Sequence, residues 1–362
     1  MTLRNMLLLS LAFALAACGT AEAKGKSARS IGRRQNTSFG YTPAPAARPR
    51  VGIALPLGKC INLGGMLEFK PESRDGRLLQ DADFKTIKAA GFRTVRVPIV
   101  FSAYTAKTPP YQIDPKFMAR VRHVVDTGLA AGLNVMIDVH HYTDLMKDPE
   151  GQSDRFTAIW RQIAEEFKDA PKGLWFELLN EPSYKFWNQV SVWVVYRPAL
   201  AAIRKTNPTR PVIIAGNLGS TVASLKPLQM PDDPYLVPTI HTYEPKPFTH
   251  QGAGWTIKRY ARGRAFLDSD RAVIDEQLVA VKAYMDRTGR VPFVGEFGAV
   301  NDESIKPGQR AKYYGTVSAA FASIGVQSCA WSYTNGFDFY RNGAWVPGML
   351  KALKTTTTVM PK

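Results

Sequence analysis

Residues 174–182 read Leu-Trp-Phe-Glu-Leu-Leu-Asn-Glu-Pro, a short apolar run that leads into Asn180, Glu181 and Pro182. Residues 291–298, Val-Pro-Phe-Val-Gly-Glu-Phe-Gly, have the same form and place Glu296 near the end of their run. Short, nearly continuous apolar runs bounded by glycine or proline predict strands that are buried on both faces, as in a parallel sheet. A parallel barrel gathers the carboxyl ends of its strands at one mouth, so we expect Glu181 and Glu296 to face each other there.

Eight such runs follow one another after residue 51 and alternate with longer helical patterns. The predicted strands cover residues 59–63, 94–98, 134–139, 174–179, 212–215, 236–240, 291–295 and 326–331. Helices are predicted at residues 81–90, 117–131 and 271–286, and residues 244–255 are predicted to form a loop over the mouth. Alternation of strand and helix is typical of a parallel α/β fold. Residues 51–362 are therefore predicted to form a single (β/α)8 TIM barrel.

Polar and aromatic side chains stand at the carboxyl ends of six predicted strands. They are Arg96, His140, His141, Asn180, Glu181, His241, Tyr243, Glu296 and Trp331. Any one of them alone could be a packing residue, but an unpaired charge is costly to bury, so the whole group indicates a functional site at the mouth. Two facing carboxyl groups, one neutral and one ionised, form the arrangement that cleaves glycosidic bonds.

Seven short motifs occur in an order that resembles glycoside hydrolase family 5, whose members are retaining (β/α)8 glycosidases. The motifs are Ile61-Asn62-Leu63-Gly64-Gly65, Val95-Arg96-Val97-Pro98, Asp138-Val139-His140-His141-Tyr142, Leu179-Asn180-Glu181-Pro182, His241-Thr242-Tyr243-Glu244-Pro245, Gly295-Glu296-Phe297-Gly298 and Trp331-Ser332-Tyr333. One departure is Met66, which stands where many family members have an aromatic residue. Trp187, Trp193 and Trp255 are candidates to supply the missing sugar-stacking surface.

The resemblance implies double displacement through a covalent glycosyl-enzyme. In this mechanism Glu181 would be the general acid and then the base, and Glu296 would be the nucleophile. Arg96 and the hydroxyl of Tyr243 would keep the nucleophile ionised, by charge and by hydrogen bonding. The mechanism requires no metal ion or other cofactor.

The resemblance also implies which residues bind the substrate. Asn180 would bond the sugar 2-hydroxyl, where contacts tighten in the transition state. His140 and His241 would hold sugar hydroxyls or orient the glutamates, and Trp331 would stack on the apolar face of the sugar ring. No role is implied for His141.

The expected substrate is a β-1,4-glucan, either cellulose or mixed-linkage glucan, cleaved within the chain, because residues 244–252 resemble a segment of bacterial endoglucanases. β-1,3-Glucan, mannan and xyloglucan stay open as substrates. A metal-dependent hydrolase with zinc on His140, His141 and His241 is an alternative, but its usual His-x-His is missing from the first strand, which carries Asn62. A non-catalytic envelope glycan-binding barrel is a further alternative, and loss of either glutamate would be its mark.

The first 50 residues differ from the predicted barrel. Residues 1–17 combine Arg4 with an apolar stretch that is too short to span a membrane, which predicts a signal peptide. Residues 15–18, Leu-Ala-Ala-Cys, resemble a bacterial lipobox, which implies cleavage before Cys18 and a lipid on its thiol. The alternative is an ordinary signal peptide cut after an alanine. We expect an exported protein of the periplasm or cell envelope, or a secreted one.

Residues 18–50 are predicted to be a flexible basic tether, because they are rich in small residues and proline. Residues 1–50 contain eight basic residues and one acidic residue, a net of +7, so +10 of the total of +17 belongs to the rest. A basic segment beside a lipid anchor would be attracted to an anionic membrane surface. We find no nucleic-acid-binding motif, and we expect a monomer that binds a glucan and no nucleic acid.

Cys60 and Cys329 fall on the first and last predicted strands, which are neighbours in a closed barrel. A disulfide bond between these two cysteines is therefore geometrically possible. Free cysteine also packs well as a small apolar residue, so we expect two buried thiols.

Overall fold

Eight parallel strands close into a barrel in the order of the chain, so that the first strand also pairs with the last. The computed structural model describes residues 39–72, 77–306 and 308–357. Its barrel strands are β1 (Cys60–Asn62), β2 (Thr94–Val97), β3 (Asn134–Asp138), β4 (Leu174–Glu177), β5 (Val212–Ala215), β6 (Leu236–Thr242), β7 (Phe293–Phe297) and β8 (Ser328–Ala330). The predicted (β/α)8 TIM barrel is thus confirmed.

All of the described helices except the last lie between barrel strands, and the last follows the barrel. They are α1 (Asp81–Ala89), α2 (Pro115–Ala130), α3 (Thr143–Lys147), α4 (Ser153–Glu166), α5 (Gln189–Thr206), α6 (Lys246–Thr249), α7 (Arg271–Thr288), α8 (Gln309–Ser323) and α9 (Met349–Ala352). A short hairpin of β9 (Tyr340–Arg341) and β10 (Ala344–Trp345) follows the barrel. Among the described residues no helix has both the length and the apolar character needed to span a membrane.

Local chemistry explains where the predicted helices begin and end. α2 begins at Pro115 because the side chain of Asp114 accepts hydrogen bonds from the first backbone amides, Lys116 and Phe117. α7 ends before Gly289, whose φ of 71° is the left-handed conformation that glycine adopts without steric cost.

The barrel interior has two layers. Near the amino ends of the strands the interior is an apolar floor, made of Leu55, Leu57, Cys60, Met136, Trp175, Ile213, Val237, Phe293 and Cys329. Towards the mouth the buried residues become polar, with Asn62, Arg96, Asp138, Glu177 and Thr239. The mouth is therefore a polar site above a packed floor.

Two strands extend further than the sequence predicts. β6 continues through His241, and β7 begins at Phe293 and includes Glu296. The register between these two strands shifts between Ile240 and His241, so that His241 pairs with Glu296. A β-bulge at this point aims side chains into the mouth, and a sequence pattern with period two does not reveal it.

The expectation of two buried thiols is wrong, because Cys60 and Cys329 form a disulfide with a Cα–Cα distance of 4.4 Å. Closure of the barrel places β1 beside β8, and their register sets these two cysteines directly opposite each other. The bond joins residues separated by 269 positions and lies in the apolar floor.

Residues 39–50, the last part of the predicted tether, lie against the barrel. Tyr41 is 1% exposed, and its hydroxyl donates to Asp275 on α7 at 2.7 Å. The backbone amide of Ala44 donates to the carbonyl of Ala322 at the end of α8. The aromatic residues of this segment bury apolar surface against the barrel, and that burial favours the docked position. A freely moving tether would leave the same surface exposed to water. The predicted signal peptide at residues 1–17, the predicted lipidation site Cys18 and the rest of the predicted tether to residue 38 lie outside the described residues.

The disulfide should make a large contribution to stability, because it closes a very long loop of the unfolded chain. Replacing both cysteines by alanine is expected to lower the free energy of unfolding by about 2–5 kcal/mol. Urea unfolding of the wild type with and without a reductant, beside the double variant, would measure this loss. A double variant as stable as the oxidised wild type would contradict the prediction.

Candidate active site

Arg96 on β2 lies at the centre of the mouth with its side chain fully buried. Its Nε and Nη2 donate to the two carboxylate oxygens of Glu177 on β4, at 2.6 and 3.0 Å. Its Nη1 donates to Glu296 on β7 at 2.7 Å, and Nη2 lies 2.7 Å from Asp138 on β3. One guanidinium therefore binds carboxylates from three different strands.

The charges of this cluster affect one another. Burial raises the pKa of Asp138 to about 6, although the charge of Arg96 acts against the rise. Burial likewise raises the pKa of Glu177 against the opposing effect of Arg96. Burial alone would lower the pKa of Arg96, but the carboxylates outweigh it and raise that pKa well above its ordinary value. Arg96 therefore stays positively charged, and the surrounding carboxyl groups all interact with that one charge.

Two asparagine amides complete the shell around the guanidinium. Asn62 accepts from Nη1 of Arg96 at 3.0 Å and donates to the carbonyls of Gly295 and Ala330. Asn180 accepts from Nη2 at 2.9 Å, which leaves its amide nitrogen as a donor. Asn62 therefore links β1 to β2, β7 and β8, and Asn180 links the residues after β4 to β2.

Glu296 is held at both of its oxygens. Oε1 accepts from Arg96, and Oε2 accepts from the hydroxyl of Tyr243 at 2.7 Å. Burial and the neighbouring charge of Glu296 raise the pKa of Tyr243 well above its ordinary value, so the phenol keeps the proton that it donates. The Glu296 side chain is only 5% exposed.

Glu181 is held at one oxygen by His241, whose Nδ1 lies 2.8 Å from Oε1 of Glu181 and 3.6 Å from Oε2 of Glu296. One oxygen of each glutamate lies within 4.8 Å of the other. Burial lowers the pKa of His241, but the charges of Glu296 and Glu181 outweigh it and raise that pKa above its ordinary value. Gly295 makes room for this ring, because a Cβ there would lie 3.0 Å from Nε2 of His241.

His140 is oriented by Asp138. Its Nδ1 lies 2.8 Å from Oδ2 of Asp138, whose other oxygen accepts from the backbone amide of Ile99. Burial lowers the pKa of His140 well below its ordinary value, with His141 and Arg96 adding to the effect. The ring is therefore neutral, and a proton on Nδ1 leaves the lone pair on Nε2.

Trp331 follows β8 and is mostly buried at the mouth, with its ring parallel to that of His140 at a centroid distance of 6.1 Å. Gly64 allows this position, because a Cβ there would lie 2.8 Å from the indole. Of the other tryptophans, Trp193 is buried against the core, whereas Trp187 and Trp255 are exposed. Met66 is buried in the core.

The structure thus brings the two predicted catalytic residues and the six predicted substrate-binding residues to one mouth. They are Glu181, Glu296, Arg96, His140, Asn180, His241, Tyr243 and Trp331. The three histidines suggested as zinc ligands separate into two groups, because His140 and His141 lie with Glu68, whereas His241 lies with the two glutamates.

Sequence reasoning gave no role to three buried acidic residues of the site, namely Glu68, Asp138 and Glu177. Glu177 and Asp138 each interrupt an apolar strand, and a charge inside a buried strand is a signal that could have revealed them. Glu68 is 2% exposed, and burial raises its pKa to about 8. Its Oε1 accepts from Asn335 at 3.3 Å.

Comparison with known proteins agrees with the family resemblance seen in the sequence motifs. Residues 61–337 match the family model described as cellulase, glycosyl hydrolase family 5. Endoglucanase H of Acetivibrio thermocellus is 34% identical over 297 residues, which cover 82% of this chain and 31% of that protein. The chain thus spans about a third of the length of that relative.

Solved structures of similar sequence share the barrel. A hyperthermophilic endo-β-1,4-glucanase in complex with substrate is 34% identical with a TM-score of 0.79, over 82% of this chain and 96% of that chain. Cel5A of Thermotoga maritima in complex with mannotriose is 33% identical with a TM-score of 0.78, over 82% of this chain and 97% of that chain. Since the family match covers most of the chain and these neighbours share its fold, the chain belongs to glycosyl hydrolase family 5.

Proposed function

We propose that this protein is an endo-acting β-1,4-glucanase that retains the configuration of the anomeric carbon. The observation that carries the proposal is the approach of Glu181 and Glu296, which bring one oxygen each within 4.8 Å. Carboxyl groups of retaining glycosidases stand about 5–5.5 Å apart, whereas those of inverting enzymes are about 6.5–9.5 Å apart to admit a water. The separation here fits a direct attack by one of the two carboxylates.

Glu296 is proposed as the nucleophile. It is buried and rigidly held, with Arg96 and Tyr243 each donating a hydrogen bond to one of its oxygens. Such donors hold the carboxyl group in a fixed orientation. In the first step a Glu296 oxygen bonds to the anomeric carbon as the glycosidic C–O bond breaks.

Glu181 is proposed as the general acid and base. Its side chain is 40% exposed, so both the leaving sugar and the incoming water can reach it. Glu181 would give its proton to the leaving oxygen and then take a proton from the water that releases the glycosyl-enzyme. His241 is hydrogen-bonded to one oxygen of Glu181 and fixes the orientation of that carboxyl group.

The substrate-binding roles rest on which polar atoms stay available. Asn180 uses its oxygen on Arg96, so its amide nitrogen is proposed to donate to the sugar 2-hydroxyl. His140 is proposed to accept from a sugar hydroxyl at Nε2, because Asp138 occupies Nδ1. Trp331 is proposed to stack on the sugar ring.

A glucan with β-1,4 linkages is the proposed substrate because the most similar relatives include proteins named endoglucanase and endo-β-1,4-glucanase. Mannan is the second candidate, because Cel5A of Thermotoga maritima was solved with mannotriose. The non-catalytic alternative is disfavoured, because both glutamates are present together with the residues that hold them.

We also propose that the protein is exported and carries a lipid on Cys18. The lipobox-like residues 15–18 and the basic segment that follows support this proposal. The Cys60–Cys329 disulfide agrees with export, since disulfides persist in oxidising compartments and are rare in the cytosol.

The first test of the proposed function is hydrolysis by the wild type. Carboxymethyl cellulose and mixed-linkage β-glucan should lose viscosity faster than reducing ends appear, because internal cuts shorten long chains early. The first product detected by NMR should be the β-anomer. Efficient hydrolysis of mannan alone would overturn the glucan assignment, and an initial α-anomer would overturn the retaining mechanism.

Variants of the two glutamates would then separate their roles. Glu296→Ala should reduce turnover of polysaccharide by roughly 10³-fold or more. With azide and an activated β-glycoside it should give the α-glycosyl azide by a single inversion. Glu181→Ala should still form the glycosyl-enzyme from a substrate with a good leaving group, and azide should release the β-glycosyl azide. The same anomer from both variants would contradict the assignment.

The lipid proposal predicts that Cys18→Ser moves the protein out of the membrane fraction or blocks its processing. The folded domain should keep the activity of the wild type, because residue 18 precedes the segment that lies against the barrel. Fractionation and intact mass would provide the measurement. A wild type whose mass lacks a lipid would exclude the proposal.

The buried carboxyl groups predict that the enzyme loses stability as pH rises. Glu68 and Asp138 have folded-state pKa values of about 8 and about 6, and that of Glu177 is also raised. Unfolded carboxyl groups ionise near about pH 4, so between about pH 4 and pH 8 the folded state binds more protons. The free energy of unfolding should therefore fall with pH, and Glu68 alone could contribute about 4 kcal/mol.

Glu68→Gln should flatten this dependence, because the amide does not titrate. Thermal unfolding from about pH 5 to about pH 8 would compare it with the wild type and with Glu276→Gln, the same change at an exposed position of α7. Glu276→Gln should follow the wild type. Equal slopes for the wild type and Glu68→Gln would show that Glu68 is not the group responsible.

A further inference from the structure

A second group of potential ligands stands at the mouth beside the proposed catalytic pair. A carboxylate oxygen of Glu68 and a ring nitrogen of each of His140 and His141 all lie within 4.8 Å of one another. We propose that these three residues bind a divalent transition-metal ion, such as Zn²⁺ or Ni²⁺, and that the bound ion inhibits the enzyme. The inhibition, but not the binding, rests on the proposed function.

His140 is already arranged as a metal ligand. Asp138 accepts a hydrogen bond from Nδ1, and the backbone amide of Ile99 fixes Asp138 in turn. A carboxylate behind a histidine is the usual second shell of a metal site, because it fixes the ring and leaves the lone pair of Nε2 for the metal.

Glu68 has a free buried oxygen. The residue is 2% exposed, and Oε1 accepts from Asn335. Oε2 is buried and has no hydrogen-bond partner among the described residues. Burial raises the pKa of this carboxyl to about 8, so a divalent ion would bind here by displacing the carboxyl proton.

His141 closes the group and gives access to it. Its φ of 49° lies in the left-handed region, which is uncommon for a residue with a side chain. The ring is stacked on Phe69 at 5.3 Å and lies perpendicular to His140 at 4.4 Å between centroids. His141 is exposed to solvent, so a hydrated ion could reach the site through it.

The donor set selects the class of ion. Two imidazole nitrogens and one carboxylate oxygen suit Zn²⁺, Ni²⁺ and Cu²⁺, whereas Mg²⁺ and Ca²⁺ prefer sites made of oxygen alone. Three protein ligands would leave coordination positions for water or for a sugar hydroxyl.

The site overlaps the space that the proposed mechanism gives to the substrate. His140 is proposed to bind a sugar hydroxyl, and its ring faces that of Trp331, the proposed stacking surface. A metal ion on Nε2 of His140 would remove that acceptor. Inhibition should therefore be competitive with the glucan, raising the apparent KM and leaving kcat unchanged.

The test first measures binding of the metal alone. Protein treated with EDTA and then dialysed is titrated with Zn²⁺ or Ni²⁺ by calorimetry and by thermal unfolding. The wild type should bind one ion and gain stability. His141→Ala and Glu68→Gln should each weaken binding by about tenfold or more. His123→Ala serves as the matched control, because His123 is an exposed histidine that contacts Asp81 on α1, away from this group.

Activity on carboxymethyl cellulose gives the second measurement, with each variant compared with its own rate without metal. Zn²⁺ should raise the apparent KM of the wild type and of His123→Ala at the same concentration. For His141→Ala the same rise should need a Zn²⁺ concentration about tenfold higher. Equal binding of the ion by the wild type and by His141→Ala would overturn the proposed site. That result would also be seen if the ion were held instead by Glu181, His241 and Glu296. If no glucan is hydrolysed, the proposed function fails and the calorimetry still decides the metal site.

Discussion

The position of the reacting groups depends on one buried cation. Arg96 is the shared partner of the carboxylates of Asp138, Glu177 and Glu296, and it also holds the amide of Asn180. Removing one partner of a buried ion pair costs about 3–5 kcal/mol, because the remaining charge is left uncompensated. Here a single guanidinium compensates several carboxylates. The same ion-pair cluster therefore stabilises the barrel and positions the proposed nucleophile. A lysine could not replace it, because an ammonium lacks the planar fork that binds oxygens in several directions.

The alternation of side chains along a strand explains how a stable floor and a charged site occupy one barrel. Residues two apart point to the same face, so the strand that places Trp175 in the apolar floor places Glu177 in the site. β3 does the same with Met136 and Asp138. In β1 the disulfide residue Cys60 precedes Asn62, so the covalent link lies directly below the amide that contacts Arg96. The floor thus positions the site from below.

The sequence predicted the strands well, because each is a short apolar run that needs burial on both faces. It did not reveal the roles of Glu177 and Asp138, because a charge inside such a run makes sense only once a buried cation is known. The disulfide depends on register, and predicted strand ends were too uncertain to set Cys60 opposite Cys329. Composition alone predicts a tether for residues 39–50, whereas the structure buries Tyr41 against α7.

The two glutamates look alike in sequence, and their surroundings make them different. Glu296 is 5% exposed and has a donor on each oxygen, whereas Glu181 is 40% exposed and has one partner, His241. A nucleophile needs a fixed anion, while an acid and base must meet both the leaving group and water. His241 lies near both groups, and their charges raise its pKa above the ordinary value. In the proposed mechanism, bond formation neutralises Glu296 while Glu181 gives up its proton, so one carboxylate stays beside His241 through the first step. His241 therefore keeps a charged partner during the double displacement without moving.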